Sequence, residues 1–67
     1  MTDRQLIRLA LDTLTDQEFS VWVTKHYAHK GRYQGSLALN ITQDAWRYRL
    51  DQAHRKMLAA LNRRDAA

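Results

Sequence analysis

One apolar stripe constrains this chain more than any other feature. Trp46, Leu50, Ala53, Met57 and Leu61 recur at steps of four, three, four and four, the spacing that stacks side chains along one side of an α-helix. No proline interrupts it, and the two glycines, Gly31 and Gly35, both lie upstream. The spacing predicts a helix from about Gln43 to Asn62, long for a chain of 67 residues. A chain of this size makes a single domain, 1–67, that buries only about 60% of its unfolded surface.

The rest of the chain also has helical spacing. Thr2 or Asp3 can cap a first helix running to about Thr13, whose apolar side is Leu6, Ile7, Leu9, Ala10 and Leu14. Thr15-Asp16-Gln17-Glu18 is a capping-box pattern opening a second helix, and Leu14 just before it can staple against Phe19. Phe19, Trp22, Val23, His26 and Tyr27 keep helical spacing to about His29, and Gly31 is placed as the left-handed residue that ends the helix. A short third segment, Arg32 to Leu39, would turn Tyr33, Leu37 and Leu39 to a core. Its Gly35 costs about 1 kcal/mol relative to Ala in mid-helix, which suggests that another helix approaches closely there. Arg63 to Ala67 is expected to fray. The fold class is all-α: a small four-helix domain with a long basic helix at the end.

Between the last two segments lies Leu39-Asn40-Ile41-Thr42. Asn40 suits the left-handed conformation of a sharp turn, and Thr42 can cap the following helix. Residues 32–62 therefore read as a helix-turn-helix.

Charge adds to this. Eleven Lys and Arg stand against seven Asp and Glu, a formal charge of +4. Arg47, Arg49, Arg55, Lys56, Arg63 and Arg64 fall within the last third against two acids, Asp51 and Asp65, whereas the first 24 residues carry Arg4 and Arg8 against Asp3, Asp12, Asp16 and Glu18. A basic segment on a slightly acidic base is the footprint of a phosphate-facing helix, or of a helix face that is simply solvated.

With no cysteine, disulfides and thiolate metal sites are excluded. No apolar run approaches the roughly 20 residues of a membrane span, and no secretory signal is visible, so a cytoplasmic protein without a membrane partner is expected. No nucleophile–base pair, glycine-rich phosphate loop or carboxylate constellation appears, and neither catalysis nor a cofactor is expected. His26 and His29, three apart on one helix, have a spacing compatible with metal. Lacking cysteines or a nearby acid, they are read as a helix end and a surface pair, and no metal is expected.

These residues resemble a known family. Leu11-Asp12-Thr13-Leu14-Thr15-Asp16-Gln17-Glu18 resembles the opening of region 4 in bacterial sigma factors of the sigma-70 class. Leu39-Asn40-Ile41-Thr42 is similar to that family's turn, and Trp46-Arg47-Tyr48-Arg49-Leu50 with Ala53-His54-Arg55-Lys56-Met57 to its recognition helix and basic tail. The likeness covers about residues 11 to 61 and is shared in part by LuxR-type regulators and small terminase subunits. Gly35, Leu37, Ala38 and Asn40 depart from the family pattern, and its promoter-melting region 2 is absent from these 67 residues. If Met1 is the true start, the chain is not a sigma factor working alone.

The resemblance implies that helix four enters the major groove of double-stranded DNA, as in reading of the promoter −35 element. Gln43, Asp44, Arg47 and Tyr48 fall at the family's contact positions. Arg47 can bond guanine O6 and N7, Gln43 can do the same for adenine, and Asp44 can accept from cytosine N4. Arg49, Gln52, Arg55 and Lys56 complete the candidate DNA-binding set, with Arg49, Arg55 and Lys56 suited to phosphate. Trp46, Trp22 and Phe19 read as core, Tyr48 as an exposed contact, and His54 equally as a phosphate contact or as part of a solvated face.

A second reading is a protein-interaction module that binds RNA polymerase or a sigma or anti-sigma factor through Tyr33, Leu37, Ala38 and the N-terminal helix. A third is a phage DNA packaging or recombination accessory protein. A lone module makes an interface of about 600–1,000 Å², so tight specific binding would call for a homodimer or a helper protein. No heptad stripe marks a dimer seam.

Overall fold

Short polar side chains set where three of the four described helices begin. In the computed structural model, which describes the backbone of residues 2–66 and the side chains of residues 2–63, the elements are α1 (Asp3–Thr13), α2 (Asp16–His26), α3 (Arg32–Leu39) and α4 (Gln43–Ala66). No strand occurs among the described residues.

Two reciprocal capping boxes open the first two helices. The Gln5 amide donates to Thr2 Oγ1 at 3.3 Å while Gln5 Oε1 accepts from the Thr2 amide at 3.0 Å. The Glu18 amide and Thr15 Oγ1 repeat the arrangement at 3.3 Å, with Glu18 Oε1 on the Thr15 amide at 3.0 Å. Each box satisfies amides that a helix start leaves free. Leu14, ahead of the second box, is buried, and Phe19 packs on the same cluster, as a staple requires.

The end of α2 differs from the sequence expectation. The helix stops at His26, and the left-handed residue is His29, with φ 55°, not Gly31, whose φ is −84°. The reversal at His29 lets the Lys30 amide reach the Thr24 carbonyl at 3.0 Å, while the Tyr27 and Ala28 amides both bond the Val23 carbonyl. Histidine is among the few residues enriched in this conformation. Gly31 serves instead as the N-cap residue of α3, its carbonyl accepting from the Gly35 amide at 2.7 Å.

In α3 the expected inward residues also change. Tyr33 and Leu37 are 63% and 64% exposed. The buried face is Gly35 and Ser36, with Leu39 half-buried beside the core. The cause is Trp46: a Cβ added at Gly35 would lie 2.5 Å from Trp46 Nε1. Only the smallest residue fits under that indole. Residues 33 and 37, about 200° around the helix from residue 35, then face outward.

α4 is the piece on which the others pack, making contact with α1, α2 and α3. Its stripe is buried as the spacing predicts. Ala53 and Met57 join Ala10, Leu14 and Trp22 in one cluster, and Trp46 and Leu50 join Val21 in a second. Ala60 is buried as well, while Leu61, the last residue of the stripe, is half-buried. The helix continues to Ala66, a turn past Asn62 and through part of the stretch expected to fray; Ala67 lies outside the described residues. At about 1.5 Å per residue, its 24 residues account for the 38 Å long axis of the molecule. No helix among the described residues is long and apolar enough to cross a membrane.

Candidate nucleic-acid interface

The α3–α4 connection is built from a left-handed residue, a backbone closure and a side-chain cap. Asn40 has φ 55° and ψ 47°, the left-handed conformation its short amide side chain suits. The Asn40 and Ile41 amides bond back to the Leu37 and Ser36 carbonyls at 3.2 and 3.0 Å, closing the end of α3. Thr42 Oγ1 then accepts from the Ala45 amide at 3.1 Å and starts α4. Half-buried Ile41 packs against the Val21–Trp46–Leu50 cluster, which ties the turn to the core.

Trp46 sets the spacing of the two helices. Its indole is 3% exposed and rests on Gly35. Its Nε1 is buried without a hydrogen-bond partner among the described residues, a cost of about 1–3 kcal/mol accepted where the ring fills the gap between α3 and α4.

With Trp46, Leu50, Ala53 and Met57 inward, the opposite ridge of α4 follows from the helix period of about 100° per residue. Asp44, Tyr48, Asp51 and Arg55 lie along it, flanked by Arg47, and all five are exposed. Gln43 is exposed in the first turn. Tyr48 is 66% exposed, an aromatic ring held in solvent. Neither Arg47 nor Arg55 makes an ion pair among the described residues. Asp51, already set against the basic residues in the sequence, lies in the middle of the ridge and tempers the local positive charge.

Three candidate residues sit apart from this ridge. Arg49 is half-buried on the side facing α2 and lines a shallow depression with Gln17, Ser20 and Leu39. Gln52 is half-buried on the same side. Lys56 Nζ donates to Glu18 Oε1 at 2.7 Å. Glu18 therefore closes the α2 capping box and anchors a lysine of α4 with the same oxygen. Burial pushes the Glu18 carboxyl up, but hydrogen bonds from Lys56 and Thr15 and the Lys56 charge outweigh it and hold the group below its ordinary value. Short-range sequence spacing shows the capping box; it contains no signal for a partner 38 residues away.

His26 does not pair with His29. Its Nε2 lies 2.8 Å from His54 Nε2, across the α2–α4 contact. Partial desolvation against its neighbours, aided by the nearby charges of His54 and Lys25, lowers the pKa of the otherwise exposed His26 from its ordinary value. The two rings stand at the edge of a groove of about 770 Å³ whose floor includes Leu6, Trp22, Met57 and Leu61. No group of three or more His, Cys, Asp or Glu able to hold a metal occurs among the described residues.

Comparison with protein-family models, with curated proteins and with solved structures gives no match.

Proposed function

We propose that this protein is a double-stranded DNA-binding, helix-turn-helix transcription regulator whose α4 reads the major groove. The observation that carries the reading is the α3–Asn40–α4 connection. A left-handed asparagine and a threonine cap join two helices that share a core, and the first turns of the second project Gln43, Asp44, Arg47 and Tyr48 into solvent. Burying one face of a helix against a scaffold while leaving long polar side chains free on the other is what groove reading demands. Arg47, with no ion-pair partner among the described residues, is available to a guanine edge. Arg55, one ridge position further on, suits phosphate. Arg49 can contact phosphate from the flank of α4, and Lys56 only on leaving Glu18.

The resemblance to sigma region 4 supports the same reading and suggests promoter DNA as the target class. Titration of the isotopically labelled protein with a DNA duplex tests it: amide shifts concentrated over Gln43 to Tyr48 support groove entry by α4, and shifts confined to α1 contradict it.

One observation favours a second reading. Tyr33 and Leu37 are large, apolar and nearly two-thirds exposed on the same face of α3. That face could dock on RNA polymerase or on a sigma or anti-sigma factor. The two readings are compatible, because α3 offers this face beside the ridge of α4.

A further inference from the structure

We propose that His26 and His54 form a two-histidine site for a divalent transition-metal ion of the imidazole-binding class, Cu²⁺, Ni²⁺ or Zn²⁺. The inference rests on the α2–α4 packing alone and stands whether or not the protein binds DNA.

The first argument is spacing. Two metal–nitrogen bonds of about 2.0 Å place their nitrogens about 2.8 Å apart at a right angle and about 3.3 Å apart at the tetrahedral angle. His26 Nε2 and His54 Nε2 lie 2.8 Å apart as hydrogen-bond partners, so the α2–α4 packing already holds the two rings within reach of one ion. The rings meet nearly head on, with centroids 5.1 Å apart and planes at 56°, as in an N–H···N hydrogen bond. Metal binding replaces this hydrogen bond: both rings turn outward and the donor ring takes the tautomer protonated at Nδ1, so that two Nε2 lone pairs face one ion.

The second argument is rigidity. His26 ends α2, and its ring is backed by the indole of Trp22 at a centroid distance of 5.4 Å. Trp22 is itself fixed in the core with Ala53 and Met57 of α4. The two ligands, 28 residues apart in sequence, are thus held by packing that exists before any ion arrives. Little ordering remains to oppose binding. Both residues are exposed, so a hydrated cation can reach them.

The third is donor chemistry. Neutral imidazole suits Cu²⁺, Ni²⁺ and Zn²⁺, whereas Mg²⁺ and Ca²⁺ take oxygen. With no third His, Cys, Asp or Glu in the cluster among the described residues, water completes the coordination. Lys25, adjoining His26, opposes a cation, and the site is a modest chelate. An ion held there would tie the end of α2 to the middle of α4.

The test uses the full chain in a non-chelating buffer. Tm is followed by circular dichroism at increasing Cu²⁺, Ni²⁺, Zn²⁺ and Mg²⁺, in the wild type and in His26→Ala, His54→Ala and His54→Gln. An ion that binds only the folded state raises Tm progressively with its concentration. The expected result is a rise with Cu²⁺ larger than with Ni²⁺ or Zn²⁺, none with Mg²⁺, and loss of the rise in every variant. His54 is exposed and His54→Gln preserves helix propensity, so this variant remains informative if His26→Ala unfolds. Cu²⁺ should also quench tryptophan fluorescence in the wild type, through Trp22, and lose that effect in His54→Gln. An unchanged wild-type Tm with all three transition metals, or an equal rise in His54→Gln, overturns the proposal.

Discussion

The indole of Trp46 lies on Gly35 so closely that a single methyl group at residue 35 would stand 2.5 Å from Nε1 and 2.7 Å from Cε2. Two opposing effects meet at this position. Alanine in mid-helix is worth about 1 kcal/mol over glycine, whereas forcing a carbon into a packed core costs about 1–3 kcal/mol. Trp46 is 3% exposed and has little room to move, so overpacking wins. Gly35→Ala is expected to lower the urea midpoint, and a stabilised variant would show that α3 and α4 are further apart than this.

Asn40 carries the turn at φ 55°. Asn40→Ala should cost about 1–2 kcal/mol, the penalty of placing a β-carbon without a helping amide in the left-handed region. Asn40→Gly should be neutral or stabilising. Equilibrium unfolding of the pair measures the difference. Equal destabilisation by both would mean that the asparagine side chain, not its backbone conformation, holds the turn.

Glu18 links acid pH to stability. Its carboxyl is held below the ordinary glutamate value in the folded protein. The unfolded chain then binds this proton more readily. The stabilisation is present above the ordinary value and is lost as pH falls through the folded one. Glu18→Gln keeps a capping-box hydrogen bond and removes the charge, so its stability should change less between neutral pH and about pH 3 than the wild type's. Lys56→Ala should cost less than about 1 kcal/mol at neutral pH because the lysine is 41% exposed. A variant whose acid sensitivity matches the wild type would remove Glu18 from the account.

On the proposed DNA-binding reading, Arg47 is a base contact and Arg55 a phosphate anchor. Arg47→Ala should reduce affinity by about 1–3 kcal/mol and relax preference at one base position. Arg55→Ala should weaken binding to all duplexes alike and lower the salt slope by about one. Competition with single-base variants of a bound site distinguishes the two. Loss of preference in Arg55→Ala, with none in Arg47→Ala, would reverse their roles.

Much of the fold was legible in local spacing, because each of its signals acts over a few residues. The Thr15–Glu18 box, the Thr42 cap and the Trp46–Met57 stripe all appear where the sequence puts them. Gly35 was legible as a place of close approach, but its neighbour was not, and so the inward face of α3 was read a half-turn wrong at Tyr33 and Leu37. The end of α2 was misread because a glycine is the stronger signal for a left-handed residue, whereas the bond from Lys30 to Thr24 places the reversal at His29. Of the candidate contacts, Gln43, Asp44, Arg47, Tyr48 and Arg55 are exposed on α4. Lys56 and His54 have partners on α2, and no pattern within α4 could reveal them.

The central claim is that α4 reads double-stranded DNA, and fluorescence anisotropy tests it most directly. Labelled duplexes carrying a −35-like hexamer or its scrambled counterpart are titrated with protein from low to physiological salt. The account predicts binding that weakens steeply with salt and keeps a preference for the hexamer throughout. Absence of binding to either duplex at low salt would contradict it and leave the exposed Tyr33–Leu37 face of α3 as the functional surface.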